Sequence, residues 1–327
     1  MELAISPSTP GLSVTELADL CRFAEDLGYR QAWAAEVAGP DAFVLAGAIA
    51  SRTATMEIGV AVMPAYTRTP AGLATSAASV SQLMGGRPFR LGIGASSGVI
   101  IEQWNGLPFT RPLERVRDTV LGVRSALRGE GDYVGTTLRM SRFRPATHPQ
   151  GPVPIYIGAL RPRMLALAGE LGDGVCLNLM PPGVVTRQLA EVRHGAERAG
   201  RVLPPEFGVM ARLQTVVTDD PGSVRQMLRS EFLGPYLAQP VYNRFLAWMG
   251  YEEEAGAIAS GWAARDREAV GKAIHDRLID DLVLVGEAAH VRRRLEEFAG
   301  AGLTVAAMMV LVPARSAVED TLRALAP

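Results

Sequence analysis

Eight short apolar or alternating runs punctuate the chain, at residues 2–6, 31–35, 56–63, 89–93, 153–157, 175–178, 206–217 and 304–312. Each has the length of a strand, and several stop at Gly, Pro, Ser or Asn, which end strands readily. Between the runs, apolar side chains return every three or four positions, the spacing of one helix face. Leu17, Leu20, Cys21, Ala24 and Leu27 make one such stripe, stopped by Gly28. Leu113, Val116, Val120, Val123 and Leu127 make another. Asp41 is placed to cap a helix ending near residue 51, Pro70 opens one closed by Gly85 and Gly86, and Pro162 sits in the first turn of a helix at 161–171. Further helices are expected at 184–199, 287–301 and 318–325, and residues 131–143 read as a surface hairpin.

Strand followed by helix, repeated eight times, predicts a (β/α)8 TIM barrel, an α/β fold in one domain over residues 1–327. Residues 218–281 depart from the alternation. They are mainly helical and carry Phe232, Tyr236, Tyr242, Phe245, Trp248, Tyr251 and Trp262. This segment is expected to be a helical insertion, or lid, between the seventh and eighth strands.

Composition narrows the function. Hydrophobic residues make up 48% and charged residues 20%, which suits a packed globular chain. The 33 basic residues balance 34 acidic ones, and no basic run is longer than Arg292-Arg293-Arg294, so nucleic acid is not an expected partner. No apolar run reaches about 18 residues, so no membrane span is expected. Residues 1–5 lack the basic start of a signal peptide. Cys21 and Cys176 lie in apolar periodic segments and read as buried free thiols, which fits a cytoplasmic location. A single lysine, Lys272, among many Arg, Ala and Gly points to a GC-rich genome. His148, His194, His275 and His290 are isolated, so no metal site is proposed. Neither a Gly-x-Ser-x-Gly elbow nor a Walker loop appears, which argues against hydrolases and NTPases.

In TIM barrels the ligand sits at the C-terminal ends of the strands. Those ends are Ser6, Glu36, Met63-Pro64, Gly94-Ala95-Ser96, Gly158-Ala159, Asn178, Val217 and Val312. The loop Leu91-Gly-Ile-Gly-Ala-Ser-Ser-Gly-Val99 is rich in glycine and serine, as loops that approach a ligand are. Gly158-Ala-Leu-Arg-Pro-Arg163 opens a helix, whose free N–H groups suit a phosphate. Arg161 and Arg163 would either add charge there or face solvent. Glu36 either caps the next helix or belongs to the site. Asn178, among apolar neighbours, needs partners that a ligand can supply. Met63 and Trp104 each read as core or as wall of the site. Gly172-Asp-Gly174 reads as a helix stop and turn.

Four motifs occur in order: Tyr66-Thr-Arg-Thr-Pro70, Gly86-Arg87 with Leu91-Gly-Ile-Gly94, Ile155-Tyr-Ile-Gly158 with Pro162-Arg-Met-Leu, and Gly172-Asp-Gly174. Their order and spacing resemble the bacterial luciferase-like superfamily, within it the branch that uses the deazaflavin coenzyme F420. The stretch from Gly94-Ala-Ser-Ser to Glu102-Gln-Trp-Asn-Gly-Leu-Pro-Phe109 resembles a subgroup common in actinobacteria.

The resemblance implies a deazaflavin, or alternatively FMN, lying across the strand ends. It implies a non-prolyl cis peptide in the third strand, at Val60-Ala61 or Ala61-Val62. Cofactor contacts are then expected from Val60, Ala61, Met63, Ile93, Gly94, Ala95, Gly158, Ala159, Leu160, Arg161, Arg163 and Asn178, and Arg68 would reach the phosphate or acidic tail. Trp104, Tyr242, Phe245 and Trp248 would bind a small-molecule substrate, and Glu36 and Tyr66 would deliver protons. Val37 stands where relatives carry a histidine and Ala95 where sugar-phosphate dehydrogenases carry a glutamate, which argues against glucose-6-phosphate dehydrogenase activity. The activity expected is F420-dependent hydride transfer, the alternatives being an FMN-dependent monooxygenase and a non-catalytic deazaflavin-binding protein. Relatives are often homodimers, so a dimer is expected.

Overall fold

The computed structural model of the chain describes residues 1–312 and 314–327. β1 (Glu2–Ile5), β2 (Gln31–Ala34), β3 (Glu57–Pro64) and β4 (Phe89–Gly94) pair side by side in parallel. The hairpin expected at 131–143 follows, as β5 (Tyr133–Val134) against β6 (Arg139–Met140). The ring then continues through β7 (Ile155–Gly158), β8 (Gly174–Asn178) and β9 (Gly208–Val217). After the short β10 (Leu284–Gly286), β11 (Val305–Val310) pairs with both β9 and β1 and closes a barrel of eight parallel strands. This is the TIM barrel that the alternation predicts.

The helices start where local chemistry places them. Ser13 and Glu16 form a reciprocal capping box on helix Val14–Asp26. The carboxylate of Asp41 accepts the N–H groups of Phe43 and Val44 at 2.9 and 3.0 Å. Between β9 and β10 the chain is helical from Pro221–Met227 through Asp276–Leu282. These helices bury an apolar cluster of their own, including Leu233, Leu246, Ile258 and Leu278. No helix among the described residues is long and apolar enough to cross a membrane.

Two features were not expected. β10 is three residues long, too short for a periodicity to show, and pairs with Thr215–Val217 at the far end of β9. The end of β9 therefore passes beyond the barrel, and Val217 is not at its mouth. Arg212 is, paired in register with Asn178 of β8.

Inside the barrel, alternate residues point inward. Trp33 and Tyr156 meet edge to face, with ring centroids 5.3 Å apart, and plug the lower interior. Glycines make the room: a Cβ on Gly59 would overlap the Trp33 ring, and one on Gly174 or Gly208 the Tyr156 ring. Below the plug, Arg90 pairs with Glu57 at 2.6 Å, and the Gln31 amide accepts the Trp33 indole N–H at 2.9 Å. Gly208→Ala is accordingly expected to cost about 1–3 kcal/mol by overpacking in urea unfolding. Gly183→Ala, where a Cβ meets nothing within 4 Å, serves as the control and is expected to be near neutral.

Candidate active site

Above the Trp33–Tyr156 plug the barrel opens into a cavity of about 1240 Å³ at the C-terminal ends of the strands. Ala61, Val62, Cys176 and Met210 form its floor. The peptide between Ala61 and Val62 is cis, the second of the two positions that the resemblance implies. Pairing with β4 shifts register between Val60 and Met63, so two consecutive side chains, Ala61 and Val62, face the cavity. The residues on either side turn outward. Val60 and Met63 are fully buried in the layer beneath the helices, as is Ile93 on β4. These three were expected at the cofactor; strand alternation instead gives the cavity Ala61, Val62 and Gly94.

The glycines of the mouth have a first role within the protein. A Cβ on Gly94 would stand 2.5 Å from one Val62 methyl, and a Cβ on Gly158 would stand 2.9 Å from the other. Their bare backbones admit Val62 to the floor. Ala95, Ala159, Leu160, Arg161 and Arg163 line the cavity together with Gly94 and Gly158. Ala159 N–H is taken by the carbonyl of Cys176 at 3.0 Å. Gln188, fully buried, donates to the Leu160 carbonyl at 3.1 Å and holds the loop in place. Helix Pro162–Leu171 starts here without a side-chain cap, leaving its N-terminal end turned to the cavity.

Both residues expected to move protons are committed elsewhere. Glu36 borders the cavity, but its carboxylate accepts Ala42 N–H at 2.7 Å and pairs with Arg68 at 3.2 Å. The helix-capping reading of Glu36 is the one realised. Arg68 is bound by Asp41 as well as Glu36, so it does not reach toward a ligand. Tyr66 lies outside the cavity, in a shallow cleft with Leu107, Pro108 and Arg115, and its hydroxyl donates to the Thr110 carbonyl at 2.6 Å. Burial pushes the Tyr66 phenol up to about 12, so it stays protonated. The reason for the misplacement is that β3 ends at Pro64 and the chain has already turned outward. Tyr66→Phe and Glu36→Gln are each expected to lower unfolding stability by about 1 kcal/mol in urea titrations.

Four arginines line the cavity, Arg161, Arg163, Arg212 and Arg244, and none has a carboxylate partner among the described residues. Glu36, the acid in the lining, is already paired with Arg68. Burial, and then the nearby Arg244 charge, hold Arg161 below its ordinary value. The cavity therefore presents an uncompensated positive rim over an apolar floor.

On the opposite wall, Asn178 finds its partners within the protein. Its amide donates to the hydroxyls of Tyr236 and Tyr242 at 2.9 and 3.2 Å and accepts from Gln214 at 3.0 Å. The two phenol oxygens lie 3.0 Å apart, and Arg212 donates to that of Tyr236 at 3.4 Å. Trp104, more than half exposed, and Trp248 also line the cavity. Phe245 does not: it is 1% exposed, in the core beneath, stacked on Trp248. Sequence reasoning missed Val62, Arg212 and Tyr236. Arg212 had a signal, since Gly208, Met210 and Arg212 share one strand face.

The family model described as luciferase-like monooxygenase matches residues 2–305. The chain belongs to the luciferase-like monooxygenase family. Within this family it is 30% identical, over 92% of its own length and 91% of the relative's, to a Mycobacterium tuberculosis protein provisionally named a coenzyme F420-dependent oxidoreductase. It is 28% identical to the 5,10-methylenetetrahydromethanopterin reductase of Archaeoglobus fulgidus, over 90% of this chain and 89% of that one. Among solved structures, the coenzyme F420 dependent tetrahydromethanopterin reductase from Methanopyrus kandleri superposes with a TM-score of 0.81 at 22% identity, covering 99% of this chain and 97% of that one. That last likeness concerns the fold. The luciferase-like family consists of enzymes, so the cavity is read as an active site.

Proposed function

We propose that the chain is an F420-dependent oxidoreductase that transfers hydride between the deazaflavin and a small organic substrate. The observation that carries this reading is the positive rim. F420 has a flat ring, a ribityl phosphate and an acidic tail, and the cavity offers an apolar floor beside four arginines without carboxylate partners. The Mycobacterium tuberculosis relative named for F420 supports the same choice.

The residues present fit such a group. Ala61 and Val62 would carry one face of the ring, with Gly94, Ala95 and Gly158 along its edge. Leu160 and Arg161, at the start of helix Pro162–Leu171, would hold the phosphate with the help of Arg163. When bound, the deazaflavin supplies a two-electron hydride at its ring carbon. The protein would fix the ring with the β3 bulge against one face, and Trp104, Tyr242 and Trp248 would line the space left for a substrate.

The test is a fluorescence titration of the purified chain with F420 and, separately, with FMN. F420 is expected to bind at about micromolar Kd or tighter and FMN at least about tenfold more weakly, a gap of roughly 1.4 kcal/mol. FMN binding as tightly as F420 would overturn the choice of cofactor.

A further inference from the structure

We infer that the Tyr242 hydroxyl is the proton donor of this site, meeting the oxygen or nitrogen of a polarised double bond in the substrate. The inference rests on the oxidoreductase reading above and supplies the acid that Glu36 and Tyr66 do not. It comes from counting hydrogens. A phenol oxygen has one proton to give and two lone pairs to receive. The Tyr236 oxygen receives the Asn178 amide at 2.9 Å and the Arg212 guanidinium at 3.4 Å, which fills it. Its own proton must then enter the 3.0 Å bond to Tyr242. The Tyr242 oxygen thereby receives Tyr236 and, at 3.2 Å, Asn178, so it too is filled. The proton of Tyr242 is the one left over. Among the described residues no carbonyl or carboxylate accepts it, and Tyr242 lines the cavity.

The surrounding groups hold this arrangement. Gln214, 1% exposed, donates to Asn178 at 3.0 Å, so both amide hydrogens of Asn178 are turned toward the phenols. Burial and then the neighbouring Tyr236 push the Tyr242 phenol up, which keeps it protonated at neutral pH. Asn178, Tyr236 and Arg212 are positioning residues in this scheme.

The substrate class follows from the chemistry. A ketone, aldehyde, imine or conjugated enone takes hydride at carbon and places the π electron pair on oxygen or nitrogen. The reductant is a reduced deazaflavin, which loses the hydride and is oxidised. The heteroatom, now basic, takes the Tyr242 proton. The phenolate left behind keeps its bonds from Asn178 and Tyr236, with the Arg212 cation one step further, and regains a proton from water at the cavity mouth.

The test uses cyclohexanone labelled with carbon-13 at the carbonyl, followed by infrared difference spectroscopy on the wild-type chain with and without F420. The expected result is a carbonyl band below its position in an aprotic solvent, returning to that position in Tyr242→Phe. In parallel, single-turnover reduction of cyclohexanone or cyclohexenone is expected to fall about 100-fold or more in Tyr242→Phe, while F420 affinity stays unchanged and circular dichroism confirms the fold. An unshifted wild-type band, the same band in the variant, or no binding of either ketone would overturn the inference. F420 failing to bind would instead defeat the cofactor reading, and the infrared measurement without F420 still decides for or against Tyr242.

Discussion

Gly94→Ala is expected to weaken F420 binding by roughly 5- to 150-fold, the equivalent of about 1–3 kcal/mol of overpacking. The new methyl would stand 2.5 Å from the Cγ2 of Val62. Gly94 cannot retreat, because its carbonyl holds Ala65 N–H at 2.9 Å and its strand is paired on both sides. Val62 must give way, and the space open to it is the cavity where the ring is proposed to lie. Adding Val62→Ala removes the colliding methyl groups and should return most of the lost affinity. Fluorescence titration of the single and double variants checks this, with circular dichroism confirming the fold. A double variant no better than Gly94→Ala alone would show that Val62 is not what the glycine serves.

The second large effect concerns charge. Replacing Arg161 and Arg163 together by alanine is expected to lower F420 affinity about 100-fold, since hydrogen bonds to charged groups are worth about 1.5–3 kcal/mol each and solvent at the rim weakens both. The same deazaflavin without its phosphate and acidic tail should bind the variant within about threefold of the wild type, because the floor of Ala61 and Val62 is untouched. Titrations at rising salt should also show a flatter dependence for the double variant. An equal loss for both ligands would mean that the arginines shape the loop and do not read the anion.

The fold was open to sequence reasoning for a simple reason. Each strand and helix of a TIM barrel is local, and its period is written in consecutive residues. All eight barrel strands appear close to their expected limits, and the cap at Asp41 and the helix start at Pro70 are realised. The loops at Gly94-Ala95 and at 158–163 were likewise visible as glycine- and arginine-bearing strand ends. Facing direction was not visible. Alternation allows only one of Val60 and Ala61 to face inward, and the register shift at Val60/Met63 then adds Val62 out of turn. No local pattern announces such a shift.

By itself, then, the sequence determined the barrel, the end at which a ligand sits and the family to which the chain belongs. These follow from periodicity and from motifs that are contiguous along the chain. Which side chains share the cavity was decided by tertiary structure alone. Asn178 and Arg212 on neighbouring strands meet Tyr236 and Tyr242 from a segment more than twenty residues further on, while Glu36 is drawn off by Arg68. Hydrogen-bond partners of this kind are set by strand register and by how the helices between β9 and β10 fold back over the mouth, and those distances exist only once the barrel has closed.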